Sequence, residues 1–202
     1  MARKQKEKSK QTENELLLSA EGLFGEKGYV ATTINEITKK AGYAKGNFYR
    51  YWNSKDEIFL SIMEDRLKKY RFKRDESLSN ATSLEEVLNG IHDFLETIID
   101  DRNWSKIFLE FTIHASYDEK IKTKLNKSIY RLSNEVFAEI VTDFVDTDFP
   151  PEKLGALNTA LFEGFLIHNI LGTNVLEKED FRKAAITMAI ALGKNTSEAN
   201  II

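Results

Sequence analysis

The sequence TTINEITKKAGYAKGNFYRYWNSK, residues 32–55, predicts two short helices joined by a tight turn and followed at once by a third. Thr33 and Glu36 have the spacing of a capping box, in which each side chain binds the other residue's backbone N–H, so the first helix begins here. Gly42 lies where that helix ends, because glycine adopts a left-handed backbone without a steric penalty. Two helices joined by a short turn containing glycine form a helix-turn-helix.

The second helix of this pair is predicted over about residues 44–52. Phe48 and Trp52 are four residues apart, so they share one helix face and are expected in the domain core. The other faces carry a cation, an amide and two phenols, which suit the edge of a DNA groove. Ser54 and Glu57 repeat the capping-box spacing and predict the start of the third helix.

Charge divides the chain into two parts. Residues 1–75 carry 17 Lys and Arg against 11 Asp and Glu, whereas the remainder carries 12 against 21, for a formal net charge of −3. A basic half that contains a helix-turn-helix favours nucleic acid as its partner. The alternative is that the charges only solvate the surface.

The pattern over about residues 12–63 resembles the N-terminal domain of the TetR/AcrR family of transcriptional regulators. The likeness is specific only as a set of spaced residues. One departure is Ala44, where the family commonly has a serine that caps the recognition helix. The matching residues are Leu17, Ala20, Leu23, Phe24, Gly28, Tyr29, Thr32, Thr33, Ile34, Ile37, Ala41, Gly42, Lys45, Gly46, Phe48, Tyr49, Trp52 and Lys55.

The resemblance implies DNA contacts for nine residues. It places Lys45, Gly46 and Asn47 at base edges, where lysine suits guanine and asparagine suits adenine. It implies a phosphate contact for Thr33, at a helix N-terminus that favours anions, and a phosphate anchor for Lys55. For the tyrosines, partial core packing with the hydroxyl in water is the alternative. The remaining implied contacts are Tyr43, Tyr49, Arg50 and Tyr51.

The first ten residues, MARKQKEKSK, contain five cations and one anion. A polar, highly charged segment of this kind is predicted to be disordered. Two uses remain open for it, a basic arm along the minor groove or a solubilising tail. The polar residues that follow exclude a signal peptide, and we expect the protein in the cytoplasm.

The rest of the chain predicts helices throughout, so the expected fold class is all-α with about nine helices. We expect a helix-turn-helix domain over residues 10–70, with the motif at about 33–52, and a larger helical ligand-binding and dimerisation domain over 71–202. The helices expected in the second domain cover about 83–100, 104–115, 118–144, 151–174 and 179–193. The inward face of the long helix is predicted to carry Ile121, Leu125, Leu132, Val136 and Ile140.

The last two helices predict a subunit interface. Residues 184–192, AAITMAIAL, are apolar at eight of nine positions, and a helix that is apolar all round is buried on both sides. We expect a homodimer with a four-helix interface, as the family resemblance also implies. The alternative is a helix buried within one subunit. The predicted interface residues are Ala156, Ala160, Gly164, Ala185, Met188, Ala189 and Leu192.

The family resemblance and an aromatic-rich second domain predict a pocket for an apolar small-molecule effector. Such a ligand would change the spacing of two recognition helices through its differential affinity for two states. Ordinary core packing is the alternative for each residue. The predicted pocket residues are Phe108, Phe111, Thr112, Tyr130, Phe162, Phe165, His168 and Asn169.

Other chemistry has little support in the sequence. The absence of cysteine excludes thiolate metal sites and disulfides, and the three histidines lack metal-ligand spacing. We expect no catalytic residue, metal or cofactor, and no membrane span, because no apolar stretch approaches ~18 residues. The favoured interpretation is a repressor that binds a palindromic operator. Two others stay open: a helix-turn-helix protein whose helical domain binds another protein, and a helical enzyme with an incidental basic domain.

Overall fold

The computed structural model describes residues 2–78, 81–145 and 147–193, and contains no β-strand within these ranges. The predicted all-α class is confirmed. The helices are α1 (Ala2–Lys27), α2 (Ile34–Lys40), α3 (Lys45–Phe48), α4 (Lys55–Leu78), α5 (Leu84–Asp100), α6 (Arg102–Ser116), α7 (Glu119–Leu125), α8 (Arg131–Thr142), α9 (Pro151–Leu171) and α10 (Lys178–Leu192). A π-helical segment, Asn126–Tyr130, joins α7 to α8.

The chain divides into two compact units. Unit 1 comprises Met1–Leu67 and Lys106–Lys122, and unit 2 comprises Lys68–Ser105 and Thr123–Ile202. Most of α6 and the start of α7 belong with the N-terminal residues, whereas the first domain was expected over residues 10–70 alone. The sequence of α6 gave no sign of this, since its apolar spacing fits any amphipathic helix.

The first ten residues contradict the predicted disorder, because residues 2–10 form the first turns of α1. The Thr12 hydroxyl donates to the Lys8 carbonyl over 3.1 Å. The Tyr51 hydroxyl donates to the Ser9 carbonyl over 2.9 Å and lies 3.0 Å from the Ser9 hydroxyl. Lys, Arg, Gln and Glu favour helix. Because the tract extends a helix that is already packed, it avoids the cost of nucleation.

An aromatic cluster forms the core of unit 1. Phe24, Tyr29, Phe59 and Phe111 are all buried, and neighbouring ring centroids are 4.0–5.5 Å apart. Phe111 was predicted to line an effector pocket, but its ring stacks on Phe59 at 4.0 Å. It is a core residue of unit 1, and this part of the pocket prediction is wrong.

Helices α5, α8, α9 and α10 enclose the core of unit 2. Helices α8 and α9 approach closely at Gly155, where a Cβ atom would lie 2.8 Å from the Asn134 carbonyl oxygen. A glycine is therefore required for this packing. The buried core residues are Val87, Leu88, Ile91, Phe137, Val141, Leu154 and Ala189.

The π-helical segment shifts the inward face of the long helical run by one position. Upstream, Ile121 and Leu125 are buried as predicted, followed by Ile129. Downstream, Phe137 and Val141 are buried, where Val136 and Ile140 were expected. A π turn holds one residue more than an α turn, so every later side chain moves one place along the helix. Of the predicted face, the side chain of Leu132 lies outside the described part of the structure.

Helix α9 is, within the described ranges, the one helix long and apolar enough to cross a membrane by length and composition. The sequence reasoning did not anticipate this. The signal is weak, because core helices of soluble proteins have the same composition. Six residues of α9 are buried in the interior of unit 2.

Candidate nucleic-acid interface and effector site

The N-terminus of α2 forms the predicted capping box. The Glu36 N–H donates to the Thr33 hydroxyl over 3.3 Å, and the Thr33 N–H donates to the Glu36 carboxylate over 2.9 Å. The Thr33 hydroxyl also donates to Glu36 over 2.7 Å. Hydrogen bonds from Lys27 and Thr33 lower the pKa of Glu36 to about 2. This helix end therefore already holds a carboxylate at the place where a phosphate was implied.

The turn of the helix-turn-helix begins at Gly42, whose φ of 77° confirms the left-handed backbone expected there. Helix α3 begins after Ala44, which makes no side-chain capping bond. It covers one turn and ends at Phe48, not at Trp52 as predicted. Past its end, the Tyr51 N–H bonds to the Phe48 carbonyl in the tighter i to i+3 pattern. Without a cap and with a glycine in it, α3 has little intrinsic support for a longer helix.

The two predicted core aromatics of the motif are confirmed. Phe48 is fully buried and Trp52 is buried, with their ring centroids 5.6 Å apart. Lys45, Gly46, Tyr49 and Arg50 are exposed and Asn47 is half-buried. We call these five residues the recognition surface. Nothing lies within 4 Å of a Cβ atom placed on Gly46, so this side of α3 is open.

Two other implied DNA contacts bind α1 through their hydroxyl groups. The Tyr43 hydroxyl donates to the Glu15 carboxylate, which raises the pKa of Tyr43 and lowers that of Glu15. The Tyr51 hydroxyl donates to the Ser9 carbonyl. Both protons are used within unit 1, so these tyrosines hold α1 against the motif, and neither hydroxyl is available as a phosphate donor.

Lys55 requires a correction as well. Its ammonium donates to the carbonyls of Tyr29, Val30 and Thr32 over 2.7, 3.2 and 2.8 Å, and lies 4.2 Å from the centroid of the Tyr29 ring. Burial lowers the pKa of Lys55. An ammonium has three donors, so the side chain has none left for a phosphate and instead stabilises the loop before α2.

Two carboxylates that the sequence reasoning missed complete this network. Glu110 accepts the backbone N–H groups of Tyr29 and Val30 over 3.0 and 2.8 Å. Asp56 accepts the Tyr29 hydroxyl over 2.6 Å and lies 2.9 Å from Nε2 of His114. Burial raises the pKa of Asp56, but the bonds from Tyr29 and His114 outweigh it and lower the pKa. No sequence pattern links residues 81 positions apart.

The predicted effector-binding residues belong to two different units. Phe108, Phe111 and Thr112 lie in the part of α6 that belongs to unit 1, and the other five lie in unit 2. His168 is exposed, with Nδ1 3.0 Å from the Thr173 hydroxyl, so it does not line a closed pocket. The Asn169 carbonyl accepts Arg102 at the end of α9.

The other three predicted residues of unit 2, Tyr130, Phe162 and Phe165, contact side chains in its interior. The Tyr130 hydroxyl donates to Glu163 over 2.5 Å, and burial raises the pKa of that carboxyl. The Phe165 and Phe162 ring centroids lie 5.3 and 6.1 Å from that of Phe181. All three phenylalanines are buried, so the aromatic part of the prediction falls on the interior of unit 2.

The sequence reasoning also missed a histidine in that interior. His92 is fully buried, and neither ring nitrogen has a hydrogen-bond partner among the described residues. Its ring centroid lies 4.9 Å from that of Phe181. A polar residue on the inward face of the strongly amphipathic helix α5 was the sequence signal that could have identified it.

The predicted interface residues divide by helix. On α9, Ala156, Ala160 and Gly164 are exposed, as an interface requires. On α10, Ala185 and Ala189 are buried within unit 2, which does not fit an interface, while Met188 and Leu192 are half-buried and stay predictions. The periodicity identified the helix but not its orientation. The exposed face of α10 carries Asp180, Ala184, Thr187 and Ala191.

No group of three or more His, Cys, Asp or Glu that could hold a metal occurs among the residues with described positions.

Comparisons with known proteins agree with this architecture. A family model for bacterial regulatory proteins of the tetR family matches residues 16–62. The HTH-type transcriptional regulator YfiR of Bacillus subtilis (strain 168) is 26% identical over 154 residues, which cover 72% of each chain. The HTH-type transcriptional repressor KstR2 of Rhodococcus jostii (strain RHA1) is 33% identical over 154 residues, 74% of this chain and 65% of that protein.

A solved structure shows the same fold over nearly the whole chain. It is a transcriptional regulator from Saccharomonospora viridis in complex with choline, which superposes with a TM-score of 0.72 at 17% identity. The match covers 90% of this chain and 96% of that one.

Proposed function

Because the chain belongs to the tetR family of bacterial transcriptional regulators, we propose that it is a repressor that binds a palindromic operator as a homodimer. The observation that carries the proposal is the recognition surface. It presents an exposed lysine and a half-buried asparagine on α3 and an exposed tyrosine and arginine just after it, while the buried Phe48 and Trp52 anchor this segment to the core. The protein acts in the cytoplasm, where such regulators meet DNA.

The proposed contacts sort into two kinds. Lys45 and Asn47 read base edges in the major groove, and Gly46 lets the backbone approach the bases. Tyr49 and Arg50 bind the DNA backbone at the border of this surface, and Thr33 does so once its hydroxyl turns from Glu36. Base contacts determine sequence preference, whereas backbone contacts determine position and overall affinity.

The helical start of α1 adds a second basic surface. Lys4, Lys6, Lys8 and Lys10 are exposed on its first turns, and Ser9, between two of them, is bonded to Tyr51 just past the recognition helix. This bond holds the lysines beside the proposed DNA-binding surface. We propose that they contact phosphates, in the place where a flexible arm or a solubilising tail was expected. Replacing all four by Gln should reduce the slope of log affinity against log salt by up to about 2, because residues two apart lie on opposite sides of a helix and only one pair faces a given surface.

The decisive experiment is fluorescence anisotropy with duplex DNA from upstream of the gene and a scrambled duplex at physiological salt. We expect a specific affinity about a thousandfold or more above the non-specific one. Lys45→Gln and Asn47→Ala should each reduce this preference, by about 1–3 kcal/mol for each lost base contact. Lys106→Gln, an exposed lysine of unit 1 outside the recognition surface, is the matched control. Equal affinity for both duplexes at all upstream positions would contradict the proposal.

The exposed apolar face of α9 supports the dimer. Leu157, Ile167 and Leu171 are 38, 47 and 73% exposed and flank Ala156, Ala160 and Gly164. Small residues allow helices to approach closely, and an apolar face of this extent is typical of a subunit interface. Light scattering should give two subunits for the wild type and one for Ala160→Glu. Thr97→Glu, which adds the same charge at an exposed position of α5, should remain dimeric.

We further propose that an apolar small molecule bound in unit 2 controls operator affinity. The aromatic interior of unit 2 supports an apolar ligand, and the choline bound to the related fold supports a small-molecule site as such. A ligand that prefers one dimer geometry would shift the spacing of the two recognition surfaces, which have to match half-sites about 34–36 Å apart.

A further inference from the structure

His92 of α5 is the buried polar group of unit 2 that the fold does not use. The side chain is 0% exposed, and neither Nδ1 nor Nε2 has a hydrogen-bond partner in the described part of the chain. Burying a polar group without a partner destabilises a fold. A residue that is retained at such a cost is a candidate for binding something that the fold itself does not contain.

The neighbouring charges leave His92 neutral and unsatisfied. Arg182 lies close to it, but its guanidinium binds Glu96 over 2.7 and 2.9 Å, and also Asp93 and Asn89. Burial, and then the positive charge of Arg182, lower the pKa of His92 to about 4. At neutral pH the ring therefore offers one N–H donor and one acceptor nitrogen.

An aromatic wall lies next to the imidazole. The Phe181 ring meets it edge to face at 4.9 Å and is itself stacked on Phe165 at 5.3 Å, with Phe162 at 6.1 Å. Phe181 is thus the common neighbour of the histidine and of both phenylalanines of α9. It belongs to the first turn of α10, at the edge of the buried cluster.

We propose that His92 is the hydrogen-bonding anchor of an effector site that takes a neutral aromatic molecule bearing one hydroxyl or carbonyl group, and that Phe181 covers this site when it is empty. The inference rests on the proposed ligand-responsive function and specifies the chemistry of the effector. The ligand's polar group binds an imidazole nitrogen, and its ring replaces that of Phe181 against Phe162 and Phe165.

The groups around His92 explain why we expect a neutral ligand. A charged group would give up its hydration beside a neutral imidazole, and the nearby cation Arg182 is already paired with two carboxylates. A hydroxyl or carbonyl needs only the single bond that His92 can provide. We expect the ligand to contain an aromatic ring because it has to contact the rings of Phe162 and Phe165, and aromatic rings prefer edge-to-face or offset stacking with one another.

The site also has a route to the dimer. The ligand's ring packs against Phe162 and Phe165, which lie on the buried side of α9. The exposed side of the same helix carries Ala160 and Gly164, which belong to the surface proposed to join the subunits. Ligand binding at His92 therefore changes the geometry of the interface directly, without requiring a change in the core beneath α5.

The test uses two probes that differ by one hydroxyl group, 2-naphthol and naphthalene, with binding measured by probe fluorescence on the full-length protein. The wild type should bind 2-naphthol about tenfold more tightly than naphthalene, the effect of one net hydrogen bond. His92→Phe should reduce this preference to less than about twofold and retain operator binding. His168→Phe, at an exposed histidine, should keep the tenfold preference as the matched control.

Several results would overturn the proposal. Equal binding of both probes to the wild type would do so, as would an unchanged preference in His92→Phe. The melting temperature gives an independent check, because removing an unsatisfied group should raise it.

If His92→Phe does not fold, a measurement on the wild type still tests the effector site. ¹⁵N spectra of its histidine rings should show a shift at His92 when 2-naphthol is added, and an unchanged His92 signal contradicts the site. Operator binding by the wild type without a probe is measured separately. Its absence would contradict the proposed function, whereas a failed probe experiment with intact operator binding contradicts only the effector site.

Discussion

The loop before α2 in unit 1 and the start of α10 in unit 2 use charged side chains in opposite ways. In unit 1, Lys55 donates to three backbone carbonyls and Glu110 accepts two backbone N–H groups. In unit 2, Arg182 pairs with the carboxylates of Asp93 and Glu96, and the buried His92 beside them has no partner among the described residues. The first arrangement fixes the backbone of the loop before α2. The second leaves the two ring nitrogens of His92 without hydrogen bonds to described residues in the interior of unit 2.

The difference follows from the backbone in each region. Residues 28–32 lie between helices, so their N–H and C=O groups lack regular partners and depend on side chains. The backbone of α5 and α10 satisfies itself within each helix. The charged side chains there are free to pair with one another. A loop can therefore be more rigidly held than a helix junction, and the comparison can be tested residue by residue.

The largest effect is expected for Lys55→Met, which leaves three carbonyls without their donor. We expect the free energy of unfolding to fall by about 3 kcal/mol, since hydrogen bonds to charged groups contribute more than neutral ones. Urea unfolding followed by circular dichroism measures it. Lys45→Met, at an exposed lysine, should change stability by less than about 0.5 kcal/mol. Equal effects of the two variants would show that the loop does not depend on Lys55.

Two glycines allow the loop geometry to be tested next. Gly28 has a φ of 85°, and a Cβ atom there would lie 2.9 Å from Glu110 Oε2, whereas Gly42, with a φ of 77°, has no atom within 4 Å of such a Cβ. Both alanine variants suffer the left-handed strain of about 1–2 kcal/mol. Gly28→Ala should destabilise by about 1 kcal/mol more, because it also disturbs the carboxylate. Equal losses of stability in the two variants would mean that the Glu110 side chain moves away from the added methyl group without cost.

The pH dependence of stability tests the other side of the comparison. The pKa of His92 is about 4 in the fold and about 6.5 when unfolded. Between these values the unfolded state binds more protons, so its stability relative to the fold increases as pH falls, by at most about 1.4 kcal/mol per pH unit. His92→Phe should show a shallower decline between pH 6.5 and 4 than the wild type. If the stability of the wild type and of His92→Phe changes with pH in parallel, the His92 ring has a hydrogen-bond partner in the fold.

The smallest effect is expected where α1 meets the motif. Tyr51→Phe removes the hydroxyl that donates to Ser9 and should cost about 0.5–1 kcal/mol of unfolding free energy. Tyr49→Phe removes a hydroxyl from an exposed ring and should leave stability unchanged. Thermal unfolding of the two variants in parallel measures the difference. If both behave alike, the start of α1 is held by its own helix propensity alone.

The sequence predicted those parts of the fold that depend on close neighbours in the chain. Thr33 with Glu36 and Phe48 with Trp52 were identified because three- and four-residue spacings bring side chains together on any helix. The network of Lys55 and Glu110 was not, because it joins segments whose proximity only the folded chain determines. Because this network could not be predicted from the sequence, Lys55 was interpreted as a phosphate anchor.

Other errors came from applying a local rule outside its range. The charged first ten residues match a disordered segment by composition, but they continue a packed helix and are held through Ser9. The apolar run of α10 correctly indicated a helix, but composition does not say which residues face the interior, and Thr187 and Ala191 are exposed. His92 was passed over because its one signal, a polar residue on the inward face of α5, does not say whether the ring has a hydrogen-bond partner.

The π-helical segment makes the number of residues, and not only their type, part of what specifies this fold. Deleting one residue between Asn126 and Tyr130 would convert the segment to a regular α turn and leave Phe137 and Val141 facing the interior, because only the extra residue is removed. Deleting one residue at the start of α8 would instead rotate every later side chain by about 100°, and Phe137 and Val141 would turn out of the interior. Substitution scanning cannot reveal such a dependence, whereas a scan of single-residue deletions along α7 and α8 would find it at once.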